Sequence, residues 1–103
     1  MNMDLSGLMQ QAQKMQREMR TAKEELKKRT VSGEAGGGMV KAYINGAQEI
    51  LKIEIDPQAV DPDDVGMLED LVLVAMREGL LKAKEMSDEE MARVTGGQLP
   101  GLF

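Results

Sequence analysis

The clearest pattern in the chain is the regular spacing of apolar residues within its first 30 positions. Successive members stand three or four residues apart in strict alternation, at Leu5, Leu8, Ala12, Met15, Met19, Ala22 and Leu26. This a/d heptad spacing predicts a helix over about 4–29 that carries one narrow apolar stripe. A stripe of this width packs against another helix, so these seven residues are predicted to form a helix seam, within one chain or between two copies.

Turn residues divide the middle of the chain into three short β-rich runs, at about 30–33, 39–44 and 47–55. Asn45-Gly46 separates the last two runs and predicts a two-residue hairpin turn, which would pair Ile44 with Ala47 and Val40 with Leu51. Apolar and polar residues alternate along these runs. The sequence therefore predicts a small antiparallel sheet with one buried face and one solvated face.

A second long helix is predicted over about 62–94. Asp61 suits the N-cap and Pro62 suits the first turn. The apolar residues that follow form a broad stripe, which indicates burial on more than one side. Ser87 followed by Glu90 has the spacing of a capping box and predicts a kink near residue 87 or a short new helix to Val94.

These elements follow one another in the order α-β-β-β-α. Residues 1–94 are predicted to be a single domain, and the glycine-rich stretch 95–103 a flexible tail. Three short strands and a separate helix cannot cover all the apolar surface within one copy. Two copies can share it, so we expect a homodimer with a coiled-coil-like contact, for which the 10 methionines supply adaptable packing.

Composition excludes most reactive chemistry. The 103 residues include no Cys and no His, which removes the usual zinc ligands, thiol nucleophiles and imidazole bases. The Gly36–Gly38 loop lacks the Lys-Ser/Thr of a phosphate-binding loop, and the acids at 61–64 lack the spacing of a calcium loop. We therefore expect no enzyme, no cofactor, no metal and no small-molecule substrate. No apolar run approaches the roughly 20 residues of a membrane span, so we expect a cytoplasmic protein without a membrane partner.

The net charge of −5 is unevenly distributed. Residues 1–30 hold seven bases and four acids, whereas residues 31–103 hold six bases and fourteen acids. On the heptad wheel the bases at positions b, c and f point away from the seam, and they are our candidate DNA contacts: Lys14, Arg17, Arg20, Lys27 and Lys28. The pattern alone leaves two interpretations open, because such a face is more often simply solvated and paired with acids along the helix.

Several stretches of the chain resemble the YbaB/EbfC family of bacterial nucleoid-associated proteins, in the family's order and spacing. They are Leu8–Gln16, Ser32–Lys41, Ile44–Gly46, Ile53–Pro57, Met67–Val72 and Met91–Gly97. The resemblance covers nearly the whole chain. It implies an α+β fold in which a small, three-stranded antiparallel sheet is flanked by the long N-terminal helix and a C-terminal helix. It also implies an intertwined homodimer with projecting helices, DNA binding, and a role in nucleoid organisation or gene regulation.

Two functions are therefore in competition. The first is a dimeric duplex-DNA-binding protein of the cytoplasm and nucleoid, in which two basic helices meet DNA grooves roughly 34 Å apart. Duplex DNA is preferred because aromatic residues for stacking unpaired bases are nearly absent. The alternative is a dimeric protein-interaction module with weak or incidental DNA binding. Glu18 and Glu25 at g positions with Lys23 at e favour that alternative, because such charges pair neighbouring helices.

Overall fold

Two helices and three strands make up residues 5–96, the part of the chain that this computed structural model describes. In chain order they are α1 (Leu5–Lys27), β1 (Thr30–Ala35), β2 (Val40–Asn45), β3 (Ile50–Ile55) and α2 (Val65–Val94), with a 3-10 turn at Pro57–Ala59. The predicted α+β class and the predicted order of elements are confirmed.

The sheet is antiparallel and has the order β1-β2-β3. β2 is its centre, and α2 packs on the face formed by β1 and β2. Val40, Ala42 and Ile44 of β2 point into this contact, where each is 0% exposed. The hydrophobic core therefore lies between β2 and the middle of α2, as the alternation of apolar residues in the central run indicated.

The predicted register between β2 and β3 is wrong. Ile44 pairs with Ile50, and Val40 pairs with Ile55, with an irregularity in the ladder between Tyr43 and Ile44. The chain between the strands is longer than a two-residue turn because the Asn45 side chain organises it. The Asn45 carboxamide oxygen accepts from the backbone N–H of Ala47 at 3.0 Å and from that of Glu49 at 2.9 Å. β3 consequently begins at Ile50, not at residue 47.

Close contact between β1 and α2 depends on glycine. A Cβ atom on Gly33 would lie 2.0 Å from the carbonyl oxygen of Ala75 and 2.3 Å from the backbone nitrogen of Gly79. The strand backbone therefore rests directly on the helix backbone, and no larger residue fits at either glycine without moving one element. Ala75 and Ala83, on the same face of α2, are 0% exposed and extend this small-residue contact.

α2 starts three residues later than predicted. Its N-cap is Asp64, whose carboxylate accepts from the Met67 N–H at 3.2 Å. Asp61, predicted to be the cap, instead accepts from the Asp63 N–H at 2.9 Å in the preceding turn, and Pro62 lies ahead of the helix. Both acids are Asp residues at the start of a helix, and the sequence alone did not indicate which of them closes the first turn.

The end of α2 also differs from the prediction. The helix runs without interruption through Ser87, so no second helix begins there. Thr95, which was assigned to the tail, is only 4% exposed, and its hydroxyl donates to the Met91 carbonyl at 3.0 Å. The remainder of the predicted tail, from residue 97 onward, lies outside the described residues.

Candidate nucleic-acid interface

α1 projects from the rest of the molecule as an arm. Its buried residues are Ala22 and Leu26, both in the C-terminal third, and they pack against Met91 of α2. Toward the other end, Leu5 is 67% exposed and Leu8 is 50% exposed. The radius of gyration is 19.6 Å, well above the roughly 13 Å of a compact chain of this length. Within residues 5–96, the N-terminal half of α1 therefore has little contact with the rest of the protein.

The loop between β2 and β3 anchors the base of the arm. The Gly46 N–H donates to the carbonyl oxygens of Leu26 at 2.8 Å and Arg29 at 3.0 Å, and the Asn45 side chain donates to the Lys27 carbonyl at 3.2 Å. Carbonyl groups at a helix C-terminus lack partners within the helix, so these bonds cap α1. A Cβ atom on Gly46 would lie 2.6 Å from the Leu26 carbonyl oxygen, so only glycine permits this approach.

An ion-pair network braces the arm on its other side. Glu90 of α2 lies 3.8 Å from the Arg29 guanidinium and also pairs with Arg93. The Glu90 side chain is 18% exposed. Hydrogen bonding by Arg93, together with the positive charges of Arg93 and Arg29, lowers the pKa of Glu90 below its ordinary value of 4.5. Glu90 is therefore a charged link between the two helices at neutral pH.

Ion pairing separates the cations of the arm into two groups. Lys14 lies 4.0 Å from Glu18, and Lys28 lies 3.6 Å from Glu25. Within residues 5–96, the basic side chains without an ion pair are Arg17, Arg20, Lys23, Lys27 and Arg77. Four of these five belong to α1, so the arm holds nearly all the positive charge that is not neutralised by a neighbour.

The unpaired cations occupy one side of the helix. At 3.6 residues per turn, Arg20, Lys23 and Lys27 fall within an arc of roughly 60°, and Arg17 lies about 60° from Arg20. The paired lysines and their acids, Glu18 and Glu25, lie on the adjoining flank, which begins beside Arg17, and Glu24 falls between Arg17 and Arg20. We call the set Arg17, Arg20, Lys23 and Lys27 the cationic stripe.

Three of the five candidate DNA contacts from the sequence belong to the cationic stripe, namely Arg17, Arg20 and Lys27. The other two, Lys14 and Lys28, lie on the flank that carries Glu18 and Glu25. Sequence reasoning missed Lys23, because its heptad position was assigned to helix pairing. The signal that would have found it is the 3- and 4-residue spacing that joins it to Arg20 and Lys27.

The predicted seam is divided between two environments. Ala22 and Leu26 are 4% and 2% exposed and close against α2 within the chain. Met15 and Met19 are half-buried, and the remaining three residues, Leu5, Leu8 and Ala12, are half-exposed or fully accessible. One continuous apolar stripe is therefore covered by its own chain at one end only.

The described part of the chain has neither a cluster of metal-ligating side chains nor a membrane-spanning helix. No group of three or more acids among residues 5–96 is placed to hold a metal ion. Neither helix of that range is long and apolar enough to cross a membrane. The fold and its surface thus describe a small α+β protein that presents cations on a projecting helix.

Comparison with known proteins identifies the family. The YbaB/EbfC DNA-binding family matches residues 1–98, so the chain belongs to that family. It is 52% identical over 101 residues to a nucleoid-associated protein of Pelotomaculum thermopropionicum, covering 97% of this chain and 96% of that protein. A nucleoid-associated protein of Thermoanaerobacter pseudethanolicus is also 52% identical, with 97% of this chain and 91% of that protein covered. Membership confirms the resemblance seen in the sequence and the assignment to a DNA-binding class, not to an enzyme class.

The fold has a counterpart among solved structures. An uncharacterized protein of Helicobacter pylori superposes with a TM-score of 0.82 at 24% identity, covering 92% of this chain and all of that one. At this identity the likeness shows the fold alone, and it supports the α+β arrangement described above.

Proposed function

We propose that this protein binds duplex DNA as a homodimer, with the cationic stripe of α1 contacting the phosphates. The observation that carries the proposal is the concentration of unpaired cations on one side of a projecting helix. Clustered Lys and Arg side chains that neutralise phosphates supply most of the sequence-independent affinity for DNA. Membership of a DNA-binding family points to the same function. The relatives are named nucleoid-associated proteins, which supports the proposal that this protein acts in nucleoid organisation or gene regulation in the cytoplasm.

Duplex DNA fits better than single strands. Proteins that bind unpaired bases stack them on aromatic side chains. Tyr43 is the aromatic residue of the described region, and its hydroxyl donates to the Glu54 carboxylate at 3.3 Å. An acid beside the ring opposes the approach of a polyanion, so recognition rests on phosphates and groove shape.

The acidic remainder of the chain restricts the direction of approach. The net charge is −5, although the cationic stripe is positive. DNA therefore meets α1 from the side that faces away from the flank with Glu18 and Glu25. Affinity that comes from four cations per copy is modest, and two copies held together increase it.

The homodimer rests on apolar surface that one copy leaves exposed. Leu5, Leu8 and Met9 of α1 are 67%, 50% and 63% exposed, and Leu73, Val74 and Leu81 of α2 are 46%, 51% and 58% exposed. Contiguous exposed apolar side chains of this kind mark interaction surfaces. We propose that a second copy covers the free half of the seam on α1.

A salt-titrated gel shift with a mass measurement in solution tests the proposal. The parent protein should have the mass of a dimer and should bind duplex DNA with an affinity that falls steeply as salt rises. Replacing Arg17, Arg20 and Lys27 by Glu should abolish binding and leave the dimer intact. The matched control replaces Arg77, Lys41 and Lys52 by Glu, three cations outside α1, which changes the net charge by the same amount. Equal losses in the two triple variants would show that total charge, and not the cationic stripe, determines binding.

The alternative, a dimeric protein-interaction module with incidental DNA binding, is favoured by the exposed apolar residues of α2. Among residues 5–96, Leu73, Val74 and Leu81 remain about half exposed. A stable dimer that ignores duplex DNA at low salt, and loses a protein partner when Leu81 is replaced by Glu, would establish this alternative.

A further inference from the structure

A notch lies where the base of the arm meets the loop between β2 and β3. It has a volume of about 270 Å³ and lies between α1, that loop and the middle of α2. Its lining includes Lys23, Leu26, Lys27, Gln48 and Ser87. Two members of the cationic stripe thus reach a concave site, whereas the rest of the stripe lies on a convex helix surface.

The cations of the notch are free to bind an anion. Neither Lys23 nor Lys27 has an ion pair within residues 5–96. Glu49, the acid at the end of the loop, is engaged with the Asn45 side chain at 3.0 Å. Asp88, next to Ser87 in the helix, is held by Lys84 at 2.7 Å. The Asn45 carboxamide leaves the charge of Glu49 in place, but the notch itself is lined by two lysines and by no acid, so the charge of its lining is positive.

Two uncharged donors complete the site. Ser87 is half-buried in the middle of α2, where a serine hydroxyl usually bonds to the carbonyl four residues earlier. No hydrogen bond of the Ser87 side chain occurs in the described region, so its hydroxyl remains available. Gln48 has a φ of 63°, a conformation that favours glycine, and it is one of the residues that line the notch. A long polar side chain kept at a strained position suggests a use for that side chain.

We infer that this notch is a phosphate-binding subsite that takes one phosphodiester group of the bound DNA backbone. The Lys23 and Lys27 ammonium groups neutralise the phosphate charge. The Ser87 hydroxyl and the Gln48 carboxamide donate to its oxygens, and Leu26 forms an apolar floor. The inference rests on the proposed DNA binding and adds to it a fixed point of contact between the duplex and the body of the protein.

Three single variants of the full chain separate charge from hydrogen bonding. Ser87→Ala and Gln48→Gly keep the net charge, and neither should harm the fold, because alanine favours helix and glycine tolerates a positive φ. Each should weaken duplex binding roughly three- to tenfold without changing the dependence on salt. Lys23→Gln should weaken binding and lower the salt slope by about 0.9 for each site. Arg77→Gln, which removes an unpaired cation outside the notch, is the matched control and should leave affinity and slope unchanged.

Backbone amide signals report on the notch directly. Titration with a short duplex should shift the NMR signals of Gln48 and Ser87, whereas inorganic phosphate at the same ionic strength should shift them only at far higher concentration. The inference is overturned if Ser87→Ala and Gln48→Gly bind duplex within twofold of the parent while Arg20→Gln binds more weakly, a result that leaves the proposed function standing. It is also overturned if phosphate shifts these signals and the duplex does not. If the parent binds no duplex at all, the proposed function fails and the subsite fails with it.

Discussion

Replacing Gly46 by Ala tests whether the loop between β2 and β3 holds the arm. The new Cβ would lie 2.6 Å from the Leu26 carbonyl oxygen and 2.8 Å from the Leu26 Cβ, where ordinary contacts are 3.4–4 Å. The close neighbours belong to the backbone and to the root of a side chain that is 2% exposed, so neither can rotate away. The end of α1 must therefore move by about 1 Å.

The expected loss of stability follows from two contributions. Overpacking of a buried contact costs about 1–3 kcal/mol. The Gly46 N–H also loses good geometry in its bonds to Leu26 at 2.8 Å and Arg29 at 3.0 Å, each worth about 1 kcal/mol. Together we expect the free energy of unfolding to fall by about 2–4 kcal/mol.

The same displacement is amplified along the arm. Ala22 and Leu26, the two contact points, are about 6 Å apart along the helix axis, so a shift of about 1 Å at Leu26 turns α1 by about 10°. Leu5 lies about 30 Å from Leu26, so the far end of the arm moves by about 5 Å. Such a change in direction should lower DNA affinity beyond the effect of stability alone.

Denaturant unfolding and duplex-binding measurements on Gly46→Ala check both expectations. The control is Gly66→Ala in the first turn of α2, where the Asp64 carboxylate oxygen is 3.9 Å from the new Cβ, an ordinary van der Waals distance. Alanine should stabilise that helix by up to about 1 kcal/mol. A stability of Gly46→Ala within ~0.5 kcal/mol of the parent, which is the ordinary range of surface substitutions, would refute the close approach. Unchanged affinity in a destabilised variant would refute the role of the arm's direction.

Three further predictions concern charge and packing. Arg20→Gln should lower the slope of log affinity for DNA against log salt concentration by about 0.9 per copy. Lys14→Gln should change that slope little, because Glu18 already pairs with Lys14. Equal slopes for the two variants would contradict the division of the cations into paired and unpaired groups. Arg93 holds the pKa of Glu90 below 4.5, so this pair stabilises the fold above that pH and the stabilisation is lost as the pH falls through the lowered pKa. Glu90→Gln should therefore flatten the acid limb of a plot of unfolding free energy against pH, by less than about 1 kcal/mol. Met91→Ala, at a site 1% exposed, should cost about 2–5 kcal/mol in denaturant unfolding, and a loss below ~1 kcal/mol would show that the contact between the helices is loose.

Local patterns were sufficient to predict the elements but not the β2–β3 register. Heptad spacing and strand alternation operate over a few residues, and they placed α1, the sheet and α2 in the observed order. Asn45-Gly46 did not form the predicted two-residue turn because both residues bond to the C-terminal end of α1. Asn45, for example, bonds to Lys27, which lies 18 residues earlier in the chain. A contact over that separation leaves no trace in the local alternation of residue types.

The heptad positions of α1 predicted which way its basic side chains point, but they did not predict which of those side chains form ion pairs. Positions b, c and f all point outward, yet Lys28 has Glu25 within 3.6 Å while Lys27 has no acid partner in the described region. Lys23 was assigned to helix pairing on the assumption that the whole seam meets another helix. The structure closes the seam against α2 only at Ala22 and Leu26, and there Lys23 borders the β2–β3 loop instead.

Placing the seam and the cations on one helix links dimer formation to DNA binding. The end of α1 with Ala22 and Leu26 is fixed to α2, so its cations have a fixed position relative to the body of each copy. At the other end Leu5 and Leu8 are at least half exposed among the described residues, so under the proposed dimer a second copy sets the direction of that end. Contacts that hold the two arms together therefore also set the distance between two sets of phosphate-binding side chains. By reciprocity, DNA that fits this distance must strengthen the dimer by the same factor as the dimer strengthens DNA binding.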